Sequence, residues 1–183
     1  MKRRSRTPFV ILGFLIHEPR SGYDLKATIE GTVGHFWQES YGQLYPTLKR
    51  LHADGLVTMN EEGEGARPRK LYGITPEGQA AFSAWLSEPA QPTTARNETL
   101  LKVFMASLGD AADLRPHLEA ARASAQERLS TLHGIRAAVT AEEGPTQHQK
   151  RCWLLTVDLG LRGAQAGLDW ATEALAELDA DVR

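Results

Sequence analysis

Along this chain apolar side chains recur with the period of a helix nearly everywhere and with the period of a strand in one short stretch; Gly and Pro punctuate the breaks. Thr7-Pro8 predicts a helix start, with threonine capping and proline in the first turn, where its missing N–H costs nothing. Phe9 to His17 reads as a short buried helix, ended by Pro19. Ser21-Gly22-Tyr23-Asp24 opens a second helix to about Glu30, with Leu25 and Ile29 inward and Gly31 and Gly34 closing it. A third is expected from about Gly42 to Ala53, because Leu44, Leu48 and Leu51 form an i, i+4, i+7 stripe that Asp54-Gly55 stops. Leu56 to Met59 and Lys70 to Ile74 predict two strands joined by the polar, Gly-rich connection Asn60 to Arg69. Thr75-Pro76-Glu77 then caps a fourth helix to about Ser87, with Ala80, Phe82, Trp85 and Leu86 as its apolar positions.

Three helices, a hairpin and a closing helix are the element order of a winged helix-turn-helix. Glu88 to Asn97, with Pro89 and Pro92 among small polar residues, reads as a linker. The expected organisation is therefore a winged helix-turn-helix over residues 1–87 and an α-helical domain over residues 98–183, mostly α with one small β-hairpin. In the second domain Thr99 to Leu108 is an apolar helix, and Leu114 to Val139 is a long one with Leu118, Ala121, Ala125, Leu129, Leu132 and Ile135 inward; Gly144-Pro145 breaks the chain after it. The last helix carries Leu154, Val157, Leu161, Ala164, Leu168, Ala171, Leu175 and Leu178 at alternating spacings of three and four, a heptad seam that requires a helical partner. The expectation is that a second copy supplies it, making a homodimer. Trp153, Gly160, Gly163, Gly167 and Trp170 fall beside the seam, and aromatics next to small residues make either a slot for an effector or close interface packing.

Composition narrows the function. Apolar residues are 42% and charged residues 24%, ordinary for a folded domain, and Cys152 stands alone, so no intramolecular disulfide framework is possible. The longest apolar run, Phe9 to Ile16, is too short for a bilayer span of about 20 residues. His17-Glu18-Pro19-Arg20 stands where a signal peptide would be cleaved, so a cytoplasmic protein without a membrane role is expected. His148 and Cys152 share an i, i+4 spacing but give two ligands where structural zinc takes four, so no metal or other cofactor is expected. No catalytic constellation appears, and an enzyme is not expected.

The net charge of −2 is unevenly spread. Through Leu86 there are 11 Lys and Arg against 9 Asp and Glu, whereas the remainder carries 10 against 14. Lys2, Arg3, Arg4 and Arg6 form a basic arm, and Arg67, Arg69 and Lys70 cluster on the outgoing side of the hairpin. The third helix, opposite its leucines, offers Gln43, Pro46, Thr47 and Arg50, flanked by Tyr45 and Lys49. Amide, hydroxyl and cationic groups of this kind suit base edges and phosphates. The plainer alternatives are a solvated helix face, an ordinary charged hairpin balanced by Glu61, Glu62 and Glu64, and a solvated tail.

Phe36-Trp37, Tyr41-Gly-Gln-Leu-Tyr-Pro-Thr-Leu-Lys-Arg-Leu51, Asp54-Gly-Leu-Val57 and Lys70-Leu-Tyr-Gly-Ile-Thr-Pro-Glu-Gly78 together resemble PadR-type transcriptional regulators. Gly22-Tyr23-Asp24-Leu25 and the long C-terminal helices resemble the family's longer-tailed branch. The resemblance implies a dimer, usually a repressor, that releases double-stranded DNA when a small, often aromatic, effector binds. By motif position it puts Tyr23, Tyr41, Gln43, Tyr45, Thr47, Lys49 and Arg50 near DNA, with Arg67, Arg69 and Lys70 in the wing. Two copies would seat their third helices in successive major grooves of an inverted repeat, roughly 34 Å apart. The rival reading is a winged-helix adaptor that binds protein and not DNA.

Overall fold

Why the first 92 residues fold together is visible in their apolar positions. The computed structural model describes residues 5–37, 41–62, 69–92, 96–108 and 114–181, and it divides into two units, Met1–Pro92 and Thr93–Arg183. In the first, α1 (Thr7–Phe14), α2 (Gly22–Thr32) and α3 (Leu44–Ala53) each send a short stripe inward. Ile11, Leu12 and Leu15 meet Leu25 and Ile29, then Leu44, Leu48 and Leu51, and Val57 and Tyr72 of the sheet close this core. α4 (Pro76–Ser87) lies against α1, where the Phe9 and Trp85 rings stack with centroids 4.9 Å apart and Phe82 leans on Trp85 at 5.8 Å.

The local signals set most boundaries. Ser21 accepts from the Asp24 N–H while Asp24 accepts from the Ser21 N–H, a reciprocal cap that starts α2. Thr75 accepts from Gly78 at 3.0 Å and starts α4. Gly55, at φ +72, takes the left-handed turn that ends α3, a conformation costly for any residue with a Cβ. Two expectations change here. Thr7 does not cap α1; it lies inside the helix, buried, and shares a hydrogen bond with the Ser5 hydroxyl. α1 also stops at Phe14, short of His17, and a single 3-10 turn, Tyr41–Gln43, precedes α3.

The hairpin is β2 (Val57–Glu62) and β3 (Arg69–Ile74), antiparallel, with Val57 opposite Ile74 and Glu62 opposite Arg69. A third strand not expected from the sequence, β1 (Arg20–Ser21), pairs with β3 through Arg20 opposite Tyr72 and Ser21 opposite Leu71. Two residues give no periodicity to read. Their pairing has a consequence all the same, because it ties the start of α2 to the root of the wing.

The second unit holds α5 (Glu98–Ala106), α6 (Arg115–Ala141) and α7 (Gln147–Asp181). Asn97 caps α5 by accepting from the Leu100 N–H at 3.1 Å. α6 and α7 form an antiparallel hairpin, with Arg115 at one end paired to Asp179 at 2.5 Å and Lys150 at the other donating to the Thr140 carbonyl. Leu132, Val157, Leu161 and Ala164 make its core, and Leu129 and Ile135 pack on them. The heptad seam is therefore occupied within the chain. Val157, Leu161, Ala164, Ala171 and Leu175 are buried in a single copy, and Leu154 and Leu168 are half-buried. For Val157, Leu161, Ala164, Ala171 and Leu175 the assignment to an interface between copies is corrected: a heptad specifies a helical partner, and the short connection after α6 lets the preceding helix be that partner.

Candidate nucleic-acid interface

Each side chain of α3 takes its direction from a 100° step. The leucines at 44, 48 and 51 define the inward direction, and Tyr45, Pro46, Lys49 and Arg50 consequently point away from the core and are exposed, as is Gln43 just before the helix. Thr47 lies 40° from Leu51 and 60° from Leu44 in projection, at the edge of the inward stripe, and is 4% exposed. Its expected place on the outward face is corrected. It is a core threonine, unable to reach a ligand laid on α3.

A concave surface of about 580 Å³ opens beside this face, lined by Tyr23 and Asp24 of α2, Tyr45 and Lys49 of α3, and Arg69 and Lys70 of β3. Five residues expected at DNA from separate segments of the sequence thus share one wall. The two tyrosines are well exposed, Tyr23 by 75% and Tyr45 by 54%. Gly22 makes the arrangement possible: a Cβ there would sit 2.6 Å from the Tyr45 ring, so only glycine lets that ring lie over the start of α2. Tyr72 and Ser21 complete the floor.

The electrostatics of the surface are mixed. Lys49 and Arg50 make no ion pair with the described residues, whereas Lys70 faces Glu61 across the hairpin at 3.6 Å and Arg69 is paired with Asp24. The Asp24 carboxyl is held below the ordinary carboxylate range, first by the hydrogen bond from the Ser21 hydroxyl at 2.8 Å and then by Arg69. Sequence reasoning assigned Asp24 only to the helix start. The signal for more was its spacing from Ser21, but the link to Arg69, 45 residues away, depends on the β1–β3 pairing. Lys2, Arg3, Arg4 and Arg67 lie outside the described residues, as does the side chain of Tyr41.

The expected effector slot is not formed within one chain. Trp153 and Trp170 are separated by 17 residues of continuous helix, about 25 Å at 1.5 Å per residue, and are a quarter-turn apart around α7. A Cβ on Gly163 would meet nothing, one on Gly167 would only touch Ala125, and it is Gly160 that admits a close neighbour, Leu132. The outward face of α7 instead carries Leu155, Leu159, Gly163, Ala166 and Trp170 at spacings of four, four, three and four, all exposed. On α5, Leu100, Leu101, Phe104 and Met105 are each at least half exposed, as is Leu108 just beyond it. Sequence reading marked α5 as apolar without assigning it a role. A further cleft, about 540 Å³, lies at the closed end of the hairpin among Arg136, Thr140, Lys150, Arg151 and Asp158. Among the described residues no three His, Cys, Asp or Glu side chains converge as a metal site would require, and no helix is long and apolar enough to cross a membrane.

Comparison with known proteins agrees with this architecture at both ends of the chain. Residues 11–84 match the Transcriptional regulator PadR-like family and residues 95–179 match Virulence activator alpha C-term. The probable transcriptional regulator Rv1176c of Mycobacterium tuberculosis is 28% identical, over 93% of this chain and 96% of its own length. Among solved structures, the Vibrio cholerae virulence activator AphA is 31% identical with a TM-score of 0.75, over 95% of this chain and 98% of that one. Bacillus subtilis PadR, 24% identical, has the same fold in complex with operator DNA (TM-score 0.83, 96% of this chain and 99% of that one) and with p-coumaric acid (TM-score 0.78, 98% and 99%). A helix-turn-helix and wing joined in sequence to a long antiparallel helical hairpin, with relatives aligned from end to end, place this chain in the PadR-like family of transcriptional regulators.

Proposed function

We propose that this protein is a cytoplasmic, dimeric, sequence-specific DNA-binding regulator, not an enzyme, and that it acts as a repressor relieved by a small aromatic effector. The observation that carries the reading is the convergence of Tyr23, Tyr45, Lys49, Arg69 and Lys70 on one concave wall beside the outward face of α3. Lys49 and Arg50 would contact phosphates or guanine, Gln43 an adenine edge, and the wing cations the backbone or the minor groove. Tyr41, Arg67 and the basic arm of Lys2, Arg3 and Arg4 belong to the same proposal on motif position alone. The operator complex and the p-coumaric acid complex of B. subtilis PadR support both halves of it.

Dimerisation is assigned to a surface different from the one the heptad suggested. The exposed apolar side chains of α5 and the Leu155, Leu159 and Trp170 face of α7 are more exposed hydrocarbon than a chain that stays alone is expected to carry. A second copy of this chain is the occupant proposed. The test is selection of duplexes from a randomised pool by the purified protein, followed by sedimentation of the complex. An enriched inverted repeat bound by two chains is expected; an unenriched pool, or one chain per duplex, overturns the reading.

A further inference from the structure

An acidic side chain in a surface meant for a polyanion needs a reason. Asp24 stands in the concavity among Tyr23, Tyr45, Lys49, Arg69 and Lys70, and its Oδ2 accepts from the Ser21 N–H at 3.3 Å, the Ser21 hydroxyl at 2.8 Å and the Arg69 guanidinium at once. Capping alone explains the first two of these bonds and not the third. An N3 carboxylate satisfies a helix start without reaching another element, whereas this one spans 45 residues to fix the first residue of β3. Its side chain is about one-third exposed, so the carboxylate faces whatever fills the concavity. A phosphate brought to Arg69 must displace Asp24 from it or accept the carboxylate's repulsion.

On that geometry, and resting on the DNA-binding function proposed above, we propose that Asp24 is a specificity-determining residue that positions Arg69: it withholds the guanidinium from arbitrary backbone phosphates and presents it in one geometry, set by the α2 cap, to a fitted duplex. Phosphate contacts are sequence-independent and supply nearly all non-specific affinity. A carboxylate that competes for one of the wing cations lowers that background. The fitted complex loses less, because its base contacts fix the duplex where the held guanidinium already points.

The experiment compares Asp24→Asn, which keeps an oxygen for the Ser21 N–H, with the native chain, using fluorescence anisotropy on two 30-bp probes: a mixed-sequence duplex, and the duplex the native chain selects from a randomised pool. Freeing one cation in each of the two bound copies steepens the salt slope for the mixed-sequence probe by about 1.8, which is about a sixtyfold gain at 0.1 M relative to the 1 M extrapolation. Affinity for the selected duplex rises less, so the discrimination ratio falls severalfold. In an Arg69→Gln background Asp24→Asn no longer steepens the salt slope on either probe. A merely structural cap would weaken both probes in proportion, with the slope unchanged and the same loss in the Arg69→Gln background. That result overturns the proposal while leaving DNA binding intact; a native chain that binds neither probe at 50 mM salt overturns DNA binding itself.

Discussion

Leu161 and Leu159 of α7 are two residues apart, and the structure gives them opposite roles. Leu161 is 7% exposed in the hairpin core beside Leu132, Val157 and Ala164, whereas Leu159 is 74% exposed. Leu161→Ala deletes three carbons, worth about 0.8 kcal/mol each in transfer. With the residual cavity the expected loss is about 3 kcal/mol, inside the range of core Leu→Ala changes. For a chain of this length that lowers the melting temperature by about 6–12 °C. Leu159→Glu should leave the single chain within about 0.5 kcal/mol of native, since it removes no buried contact. In the proposed dimer it buries an unpaired carboxylate, a penalty of about 3–5 kcal/mol, which weakens dimerisation by 100-fold or more. Urea unfolding reads the first effect and sedimentation equilibrium the second. The reasoning is refuted if Leu161→Ala dissociates the dimer while unfolding at the native midpoint, because the seam would then lie between copies after all.

Lys49→Gln is expected to reduce the slope of log K against log salt by about two, about one for each bound copy, and to weaken all duplexes alike, as removal of phosphate contacts does; an unchanged slope places Lys49 away from the backbone. Gly22→Ala puts a Cβ 2.6 Å from the Tyr45 ring and so must shift that ring, and the expected result is weakened operator binding with helicity retained on circular dichroism. Because the folded Asp24 lies below its ordinary value of 3.8, its contribution to stability is present above about pH 4 and disappears as the pH falls through the lower, folded-state value. The gap in urea midpoint between Asp24→Asn and the native chain should therefore shrink as the pH falls below 3.8; a gap that stays constant from pH 7 to the lowest pH at which the chain stays folded contradicts this.

Where an element's partner is close in sequence, the amino acids announce it. Leu44, Leu48 and Leu51 mark α3, and Ser21 with Asp24 and Thr75 with Pro76 mark where α2 and α4 begin, because caps and stripes are local chemistry. Thr47 was misplaced because a hydroxyl looks polar in a pattern, although its methyl group and its 60° offset from Leu44 suit the interior. The seam of α7 was read correctly as a helix contact and wrongly as one between chains, since a heptad carries no information about which chain the partner belongs to. The Asp24 to Arg69 pairing was beyond reach for a different reason: it is produced by the register of a two-residue strand on β3, and two residues have no period. Of the candidate site, the outward placement of Tyr45, Lys49 and Arg50 on α3 was legible, and the burial of Thr47 and the way the wing root folds onto α2 were not.

The central claim is that the wall built from α2, α3 and β3 is a phosphate-facing surface. Its most direct test is a salt titration of the purified protein against a labelled duplex from the region upstream of its own coding sequence, followed by anisotropy between 50 and 200 mM salt. Several phosphate contacts, from two copies each contributing Lys49, Arg50 and the wing cations, predict saturable binding that weakens by a factor on the order of 10³ or more across that range. Binding that ignores salt, or no binding at 50 mM, would contradict the account.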